Sequence, residues 1–230
     1  MTLQETEIGG RNCRIHADEK PEILLIQPMG RHELPTIGHE AALIGESSPV
    51  PFVLAAFEVR DWDLELTPWP DPAISRKPGV GEGARKTLEY VSSVLLPSLR
   101  RRFGSLPCVL GGYSLGALFA LWVSCETSCF EAVAASSPSV WIRDWNEYAA
   151  ARPTRSSAVY LSLGDQEEKV RNPHIARVGD NLRASHERLA RQLGADRTIL
   201  EWNEGNHFKD NDIRTARGFL WCLRKVAVRP

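Results

Sequence analysis

Short apolar segments of strand length recur along the 230-residue chain, and helix-like segments separate them. The predicted strands span 22–27, 51–59, 107–112, 131–136, 158–164 and 197–202, and the predicted helices include 81–104, 174–194 and 212–226. The strands are almost continuously apolar, which is typical of strands buried on both faces. Strands that alternate with helices predict an α/β fold, with a mostly parallel central sheet and helices on both faces. Ligands of such sheets bind beyond the carboxyl ends of the strands.

Composition and charge favour a single globular domain over residues 1–230, because no Pro-, Ser- or Gly-rich linker divides the sequence. The formal net charge of −1 argues against a nucleic-acid partner. A membrane partner is not expected either, because no apolar run approaches the length that spans a bilayer, and the first residues do not resemble a secretory signal. The five cysteines are dispersed, which predicts no metal site and a reduced, cytoplasmic protein.

The stretch CVLGGYSLGALFALWVS, residues 108–124, places a Gly-x-Ser-x-Gly pattern between a predicted strand and a predicted helix. This context is typical of a nucleophile elbow, a strained turn that raises a serine hydroxyl above the sheet. Gly112 and Gly116 fit the pattern because side chains at these positions would collide with the neighbouring strand or helix. Ser114 is therefore the candidate nucleophile.

A nucleophilic serine needs an imidazole base and an orienting carboxylate, and in elbow enzymes the chain order is serine, acid, histidine. His207 is the candidate base because it lies between the last predicted strand and the last helix. The acid is expected in the GDQEEK loop after the strand 158–164. Glu167 is preferred there, and the alternatives are Asp165, Glu168 and, after an earlier strand, Asp144.

The oxyanion hole requires two backbone N–H groups aimed at the developing charge. Leu115, directly after the serine, would supply one, and Met29 or Gly30, after the strand 22–27, would supply the other. Tryptophans follow several of the predicted strands and could stack on an aromatic or sugar-like substrate group. Trp69 and Trp141 are the predicted substrate-binding residues, and Trp62 and Trp145 lie in similar loops.

With these residues in place, the chain resembles the putative-esterase group of α/β-hydrolases, which includes esterase D-like, enterochelin esterase-like and feruloyl esterase-like proteins. The most specific segments are GGYSLGALFALW, FEAVAASSPSVW and DWDLELTPWPDP. The early strand departs from the family because it ends in QPMG, where relatives commonly have His-Gly. The resemblance implies a Ser/acid/His hydrolase, and it falls on Ser114, His207 and an acid of the GDQEE loop.

The expected function is hydrolysis of a carboxylic ester through an acyl-enzyme, with a small-molecule ester as partner and no cofactor. The protein would act as a monomer or a homodimer. An acyltransferase or a peptidase could use the same triad, since the pocket shape decides between water, alcohol and amide acceptors. A non-catalytic binding protein that keeps the fold is a further alternative.

Overall fold

The computed structural model describes residues 1–75 and 81–227, and the strands in these ranges form one eight-stranded sheet. The strands are β1 (Thr2–Ile8), β2 (Arg11–Ala17), β3 (Ile23–Gly30), β4 (Phe52–Val59), β5 (Cys108–Tyr113), β6 (Ala132–Ser136), β7 (Ala158–Gly164) and β8 (Thr198–Asn203). Their order is β1-β2-β4-β3-β5-β6-β7-β8. The pairs from β4 to β8 are parallel, and the pairs β1–β2 and β2–β4 are antiparallel. The predicted α/β fold with a mostly parallel sheet is confirmed, although the predicted domain 1–230 includes 76–80 and 228–230, which lie outside the described residues.

Helices cover both faces of the sheet. They are α1 (Ile37–Gly45), α2 (Trp62–Leu66), α3 (Ala84–Tyr90), α4 (Leu96–Phe103), α5 (Leu115–Glu126), α6 (Trp145–Ala151), α7 (Pro173–Ala176), α8 (Val178–Leu193) and α9 (Asn211–Ala227). One apolar core joins one face of the sheet to α1 and α9, and a larger core joins the other face to α3–α6 and α8. Every residue of α5 from Leu115 to Cys125 is buried, as expected of a helix that is apolar all round.

The antiparallel hairpin of β1 and β2 is a feature that the sequence interpretation missed. Both strands contain many polar residues, and β1 is largely exposed at the sheet edge. The turn between them is Gly9–Gly10, and both glycines have positive φ, 58° and 81°. Two strands separated by Gly-Gly are a hairpin signal, because such a turn requires left-handed backbone that glycine adopts freely. That dipeptide is the signal that could have revealed the hairpin.

Two predicted helices differ in detail from the structure. The predicted helix 81–104 runs as α3, a π-helical turn at Val91–Leu95, and α4, and it ends before Gly104, whose φ is 92°. The predicted helix 174–194 is divided at Arg177 into α7 and α8. Within the described ranges, each helix is too short or too polar to cross a membrane.

The central position of β5 determines where functional side chains meet. β5 pairs with β3 on one side and with β6 on the other, all in the parallel sense. The carboxyl ends of β3, β5, β6, β7 and β8 therefore lie along one edge of the sheet, and the segments that follow these strands share that edge.

Candidate active site

Ser114 occupies a sharp turn between β5 and α5. Its φ is 57° and its ψ is −121°, a conformation that L-residues rarely adopt and that costs of the order of 1–3 kcal/mol. The turn is fixed on both sides, because Ser114 N–H donates to the Ser136 carbonyl (3.1 Å) and Ser139 N–H donates to the Ser114 carbonyl (3.2 Å). The backbone thus holds Ser114 in a strained turn between strand and helix.

The glycines on either side of the serine are required by close packing. A Cβ on Gly112 would lie 3.0 Å from the backbone carbonyl carbon of Gly116. A Cβ on Gly116 would lie 3.3 Å from Pro28 Cγ and 3.4 Å from the Trp62 ring. A larger residue at position 112 would press on the start of α5, and one at position 116 would press on Pro28 of β3 and on the Trp62 ring, so both positions favour glycine.

His207 lies in the segment between β8 and α9 and faces the serine. Its Nε2 is 3.0 Å from Ser114 Oγ. Its backbone carbonyl accepts a hydrogen bond of 2.7 Å from the Tyr113 hydroxyl, and the two rings pack with centroids 5.2 Å apart. Burial raises the pKa of Tyr113, so this phenol stays protonated and able to donate. The residue beside the serine therefore anchors the histidine.

Glu167 is the acid of the 165–168 segment that reaches His207. Its Oε2 lies 2.7 Å from His207 Nδ1. Its other oxygen, Oε1, accepts hydrogen bonds from the Ser137 hydroxyl (2.7 Å), the Gly164 N–H (2.8 Å) and Arg214 Nη1 (3.1 Å). The side chain is only 4 % exposed, so these hydrogen bonds take the place of water around the carboxyl group.

Burial and hydrogen bonding act in opposite directions on this carboxyl. Burial raises the pKa of Glu167, whereas hydrogen bonds from His207, Ser137 and Gly164, with the charge of His207, lower it. The lowering effects prevail, and the pKa of Glu167 lies below its ordinary value. The acid is thus held as a carboxylate that can accept a hydrogen bond from His207 Nδ1–H and stabilise an imidazolium.

The other candidate acids lie elsewhere. Asp165 accepts a hydrogen bond from the Gly205 N–H (2.8 Å) and so ties the segment after β7 to the one after β8. Glu168 forms an ion pair with Arg183 (2.9 Å). Asp144 precedes α6, with an exposed side chain 3.8 Å from Arg143. The side chains of Asp165, Glu168 and Asp144 therefore contact these groups and not His207.

Arg214 is the site residue that the sequence interpretation missed. It lies in the first turn of α9, is 1 % exposed, and donates from Nη1 to Tyr113 Oη (3.1 Å), Ser137 Oγ (3.3 Å) and Glu167 Oε1. Its Nη2 donates to the Glu204 carbonyl (3.1 Å). An arginine in an amphipathic helix is usually expected to be exposed. The apolar residues near Arg214 in the helix were the only sequence signal that this arginine is buried.

The predicted oxyanion donors lie at the start of α5 and at the end of β3. Leu115 is the first residue of α5, where the initial backbone N–H groups have no partner within the helix. Met29 and Gly30 are the last residues of β3, and Met29 lines the same cavity as Ser114 and His207. The position of Met29 is compatible with its predicted role as the second donor, and that role stays a prediction.

The cavity over Ser114 has a volume of about 240 Å³ and contains Trp62, not the tryptophans that were predicted to bind substrate. Trp69 donates from Nε1 to the Arg143 carbonyl (2.9 Å) and packs on Tyr148. Trp141 packs edge-on against His174, with centroids 5.6 Å apart. Neither ring is among the described residues that line this cavity. Residues 1–75 and 81–227 contain no group of three or more His, Cys, Asp or Glu side chains that could hold a metal ion.

The parallel sheet, the strained serine turn and the histidine after the last strand define an α/β-hydrolase fold. Residues 45–199, more than half of the chain, match the model of a family described as Putative esterase. The chain belongs to this family, which supports ester hydrolysis as its reaction. No curated protein matches the chain at a significant level.

Solved structures of hydrolases share the fold. An IroE-like serine hydrolase from Shewanella oneidensis superposes with a TM-score of 0.78 at 16% identity, covering 99% of this chain and 82% of the other. Siderophore hydrolase EstB from Aspergillus nidulans gives 0.70 at 19% identity, covering 100% and 96%. Enterobactin esterase FES from Shigella flexneri gives 0.68 at 16% identity, covering 98% of this chain but 60% of the other. At these identities the likeness establishes the fold.

Proposed function

We propose that this protein is a serine esterase that hydrolyses a carboxylic ester through a covalent acyl-enzyme. The observation that carries the proposal is the continuous contact from Ser114 Oγ to His207 Nε2 (3.0 Å) and from His207 Nδ1 to Glu167 Oε2 (2.7 Å). The three groups have the roles of nucleophile, general base and orienting acid. Membership of an esterase family supports the same reaction.

In the first half of the reaction, Ser114 Oγ attacks the ester carbonyl carbon while His207 Nε2 takes the hydroxyl proton. The carbonyl oxygen becomes an oxyanion, which the backbone N–H groups of Leu115 and Met29 would bind. The tetrahedral intermediate then collapses, and the bond to the alcohol oxygen breaks. His207 donates its Nε2 proton to this oxygen, so the alcohol leaves neutral and the acyl group stays on Ser114.

In the second half, His207 Nε2 takes a proton from water, and the resulting hydroxide attacks the acyl carbon. The Ser114 Oγ–acyl bond breaks, Oγ recovers the proton from His207, and the carboxylic acid is released. Glu167 stays ionised throughout and stabilises the imidazolium that forms twice in each cycle.

Arg214 is a positioning residue in this mechanism. Its guanidinium, Ser137 and the Gly164 N–H all bind Glu167 Oε1, which leaves Oε2 to face His207. A carboxylate whose two oxygens have separate partners cannot rotate without losing charge-assisted hydrogen bonds. The imidazole is thereby kept in the tautomer that has its proton on Nδ1 and a free lone pair on Nε2.

We also propose that the whole chain forms a single domain and that the protein is cytoplasmic. The described strands form one continuous sheet, which supports a single domain over the whole chain. All five cysteines are free thiols, and four of them are buried, which supports a reducing, cytoplasmic location.

A fluorophosphonate reagent tests the proposal directly, because it reacts with an activated serine. We expect mass spectrometry to find one adduct on Ser114 in the wild-type protein and none in Ser114→Ala. Ser98→Ala is the matched control, since that serine lies in α4 and donates to the Val94 carbonyl. Ser114→Ala should also lower the rate of p-nitrophenyl acetate hydrolysis by on the order of 10⁶-fold with an unchanged melting temperature. Labelling that persists in Ser114→Ala would overturn the proposal.

A further inference from the structure

The cavity over Ser114 is lined by both apolar and acidic residues. Pro28, Met29, Trp62 and the 87 % exposed Phe208 provide apolar surface. Carboxyl groups of Glu33, Glu40 and Asp212 line the rest, together with neutral polar side chains. In the part of the chain that the structure describes, neither lysine nor arginine lines this cavity.

Two buried oxygen atoms belonging to residues of the cavity wall have no hydrogen-bond partner among the described residues. Gln27 and Glu40 are 4 % and 3 % exposed, and Gln27 Nε2 donates to Glu40 Oε2 (3.1 Å). The remaining atoms, Gln27 Oε1 and Glu40 Oε1, are both unpaired. An unpaired buried polar atom is costly, by about 1–3 kcal/mol. Gln27 and Glu40 both line the cavity, so a hydrogen-bond donor that reached these oxygens from that side would satisfy them.

The charge around these oxygens favours a cation as that donor. Burial, with a smaller contribution from the negative charge of Asp212, raises the pKa of Glu40 to about 8, although the hydrogen bond from Gln27 acts to lower it. A positive group beside Glu40 would offset both raising effects. Asp212 has one basic neighbour, His39, whose Nδ1 is 2.6 Å from Oδ2, but His39 is 62 % exposed and does not line the cavity.

We propose that the arm of the ester substrate that enters this cavity carries an ammonium group, which binds between Gln27, Glu40 and Asp212. The inference rests on the proposed function, since it names the chemical class of that ester. The three N–H groups of a primary ammonium would donate to Gln27 Oε1 and Glu40 Oε1, and the charge would be attracted to Asp212. The alkyl part of the arm would lie against Met29 and Trp62.

The same surface disfavours anionic arms. A carboxylate or a phenolate in the cavity would face three carboxyl groups without a lysine or arginine among its described lining residues. A neutral hydroxyl would donate a hydrogen bond to one unpaired oxygen, but it would not compensate the negative charge of Asp212. The expected order of affinity is therefore ammonium, then alcohol, then carboxylate.

Three five-carbon ligands of matched length test this order: pentylammonium, 1-pentanol and pentanoate. They are compared at constant ionic strength and at about pH 9, where Glu40 with its pKa of about 8 is ionised and a primary ammonium still carries its proton. Each is used as an inhibitor of p-nitrophenyl acetate hydrolysis by the wild-type protein. Each is also titrated calorimetrically into Ser114→Ala, where binding is measured without turnover. We expect pentylammonium to compete with substrate and to bind about tenfold or more tightly than 1-pentanol, with pentanoate the weakest.

Charge-removing variants locate the ammonium site. Glu40→Gln should lower the ratio of ammonium to alcohol affinity by about fivefold or more, because a buried amide replaces the group that would pair with the cation. Glu46→Gln is the matched control, since Glu46 is exposed at the end of the same helix. If Glu40→Gln melts far below the wild type, Asp212→Asn provides the same comparison.

The outcomes separate the two proposals. Equal or tighter binding of 1-pentanol or pentanoate overturns the ammonium site, even if the protein hydrolyses p-nitrophenyl acetate. Unchanged selectivity in both Glu40→Gln and Asp212→Asn overturns its location. Absence of hydrolysis with clear ammonium selectivity in the calorimeter overturns the esterase mechanism and leaves the binding site standing.

Discussion

Replacement of Glu167 by glutamine tests the orientation of the catalytic groups most sharply. Three donors surround Oε1: the Ser137 hydroxyl, the Gly164 N–H and the Arg214 guanidinium. The glutamine carbonyl oxygen must occupy that position, because an NH₂ group there would face two N–H donors. The amide NH₂ is then directed at His207 Nδ1. It can only donate, so the imidazole must carry its proton on Nε2.

This tautomer cannot accept the proton of Ser114, since Nε2 already holds a hydrogen. The carboxylate charge that stabilises the imidazolium is also lost. Where a triad carboxylate is changed to its amide, the expected loss in kcat is on the order of 10⁴-fold, or about 5 kcal/mol of barrier. The buried hydrogen-bond partners of Glu167 make the glutamine orientation unusually well determined here.

The assay is kcat for p-nitrophenyl acetate hydrolysis, with Asp165→Asn and Glu168→Gln as controls. Asp165 binds the Gly205 N–H and Glu168 pairs with Arg183, so each control should lose less than about tenfold. A Glu167→Gln variant that keeps more than a tenth of wild-type kcat would refute the tautomer reasoning. So would an Asp165→Asn variant that proves the more damaging of the two.

The remaining predictions concern the base, the buried arginine and acid stability. His207→Ala should lower kcat by on the order of 10⁶-fold while the fluorophosphonate adduct on Ser114 becomes slow to form; a loss below a hundredfold would exclude His207 as the base. Arg214→Met should reduce the free energy of unfolding in urea by about 3–5 kcal/mol, because it leaves the buried Glu167 carboxylate without its guanidinium partner; a loss under 1 kcal/mol would contradict this role. Because the pKa of Glu167 is lower in the folded protein than in the unfolded chain, its stabilisation is complete above the ordinary glutamate range and is lost as the pH falls through the lowered pKa. At pH values below about 4.3 the melting temperature of the wild-type protein should therefore decrease, and that of Glu167→Gln should decrease less. Melting temperatures that decrease in parallel in the two proteins would contradict this.

The sequence was most informative where local chemistry and chain order both restrict the structure. The serine turn needs glycine two residues before and after it, and the packing around Gly112 and Gly116 shows why. His207 could be chosen because it follows the last strand of a parallel sheet, at the edge where Ser114 lies. In both cases a short-range pattern and the sheet topology point to the same place.

The sequence was less informative where the choice between neighbouring residues depends on the direction in which a side chain points. Asp165, Glu167 and Glu168 share one segment, and the 3₁₀ turn that begins at Glu167 directs that carboxylate inward. The tryptophan among the described residues that line the cavity is Trp62, whose ring packs near the Cβ position of Gly116, whereas Trp69 packs on Tyr148. Such contacts depend on how distant elements pack.

The position of Arg214 on α9 has a consequence for the newly made chain. Synthesis as far as β8 yields Ser114 and Glu167, but His207 and the guanidinium that fixes Glu167 are still missing. Arg214 bonds to Tyr113, 101 residues earlier, and to Ser137, 77 residues earlier. The chain must therefore leave the ribosome at least as far as Arg214, in the first turn of α9, before the proposed site can assemble, and we expect nascent chains that stop at β8 to have no hydrolytic activity.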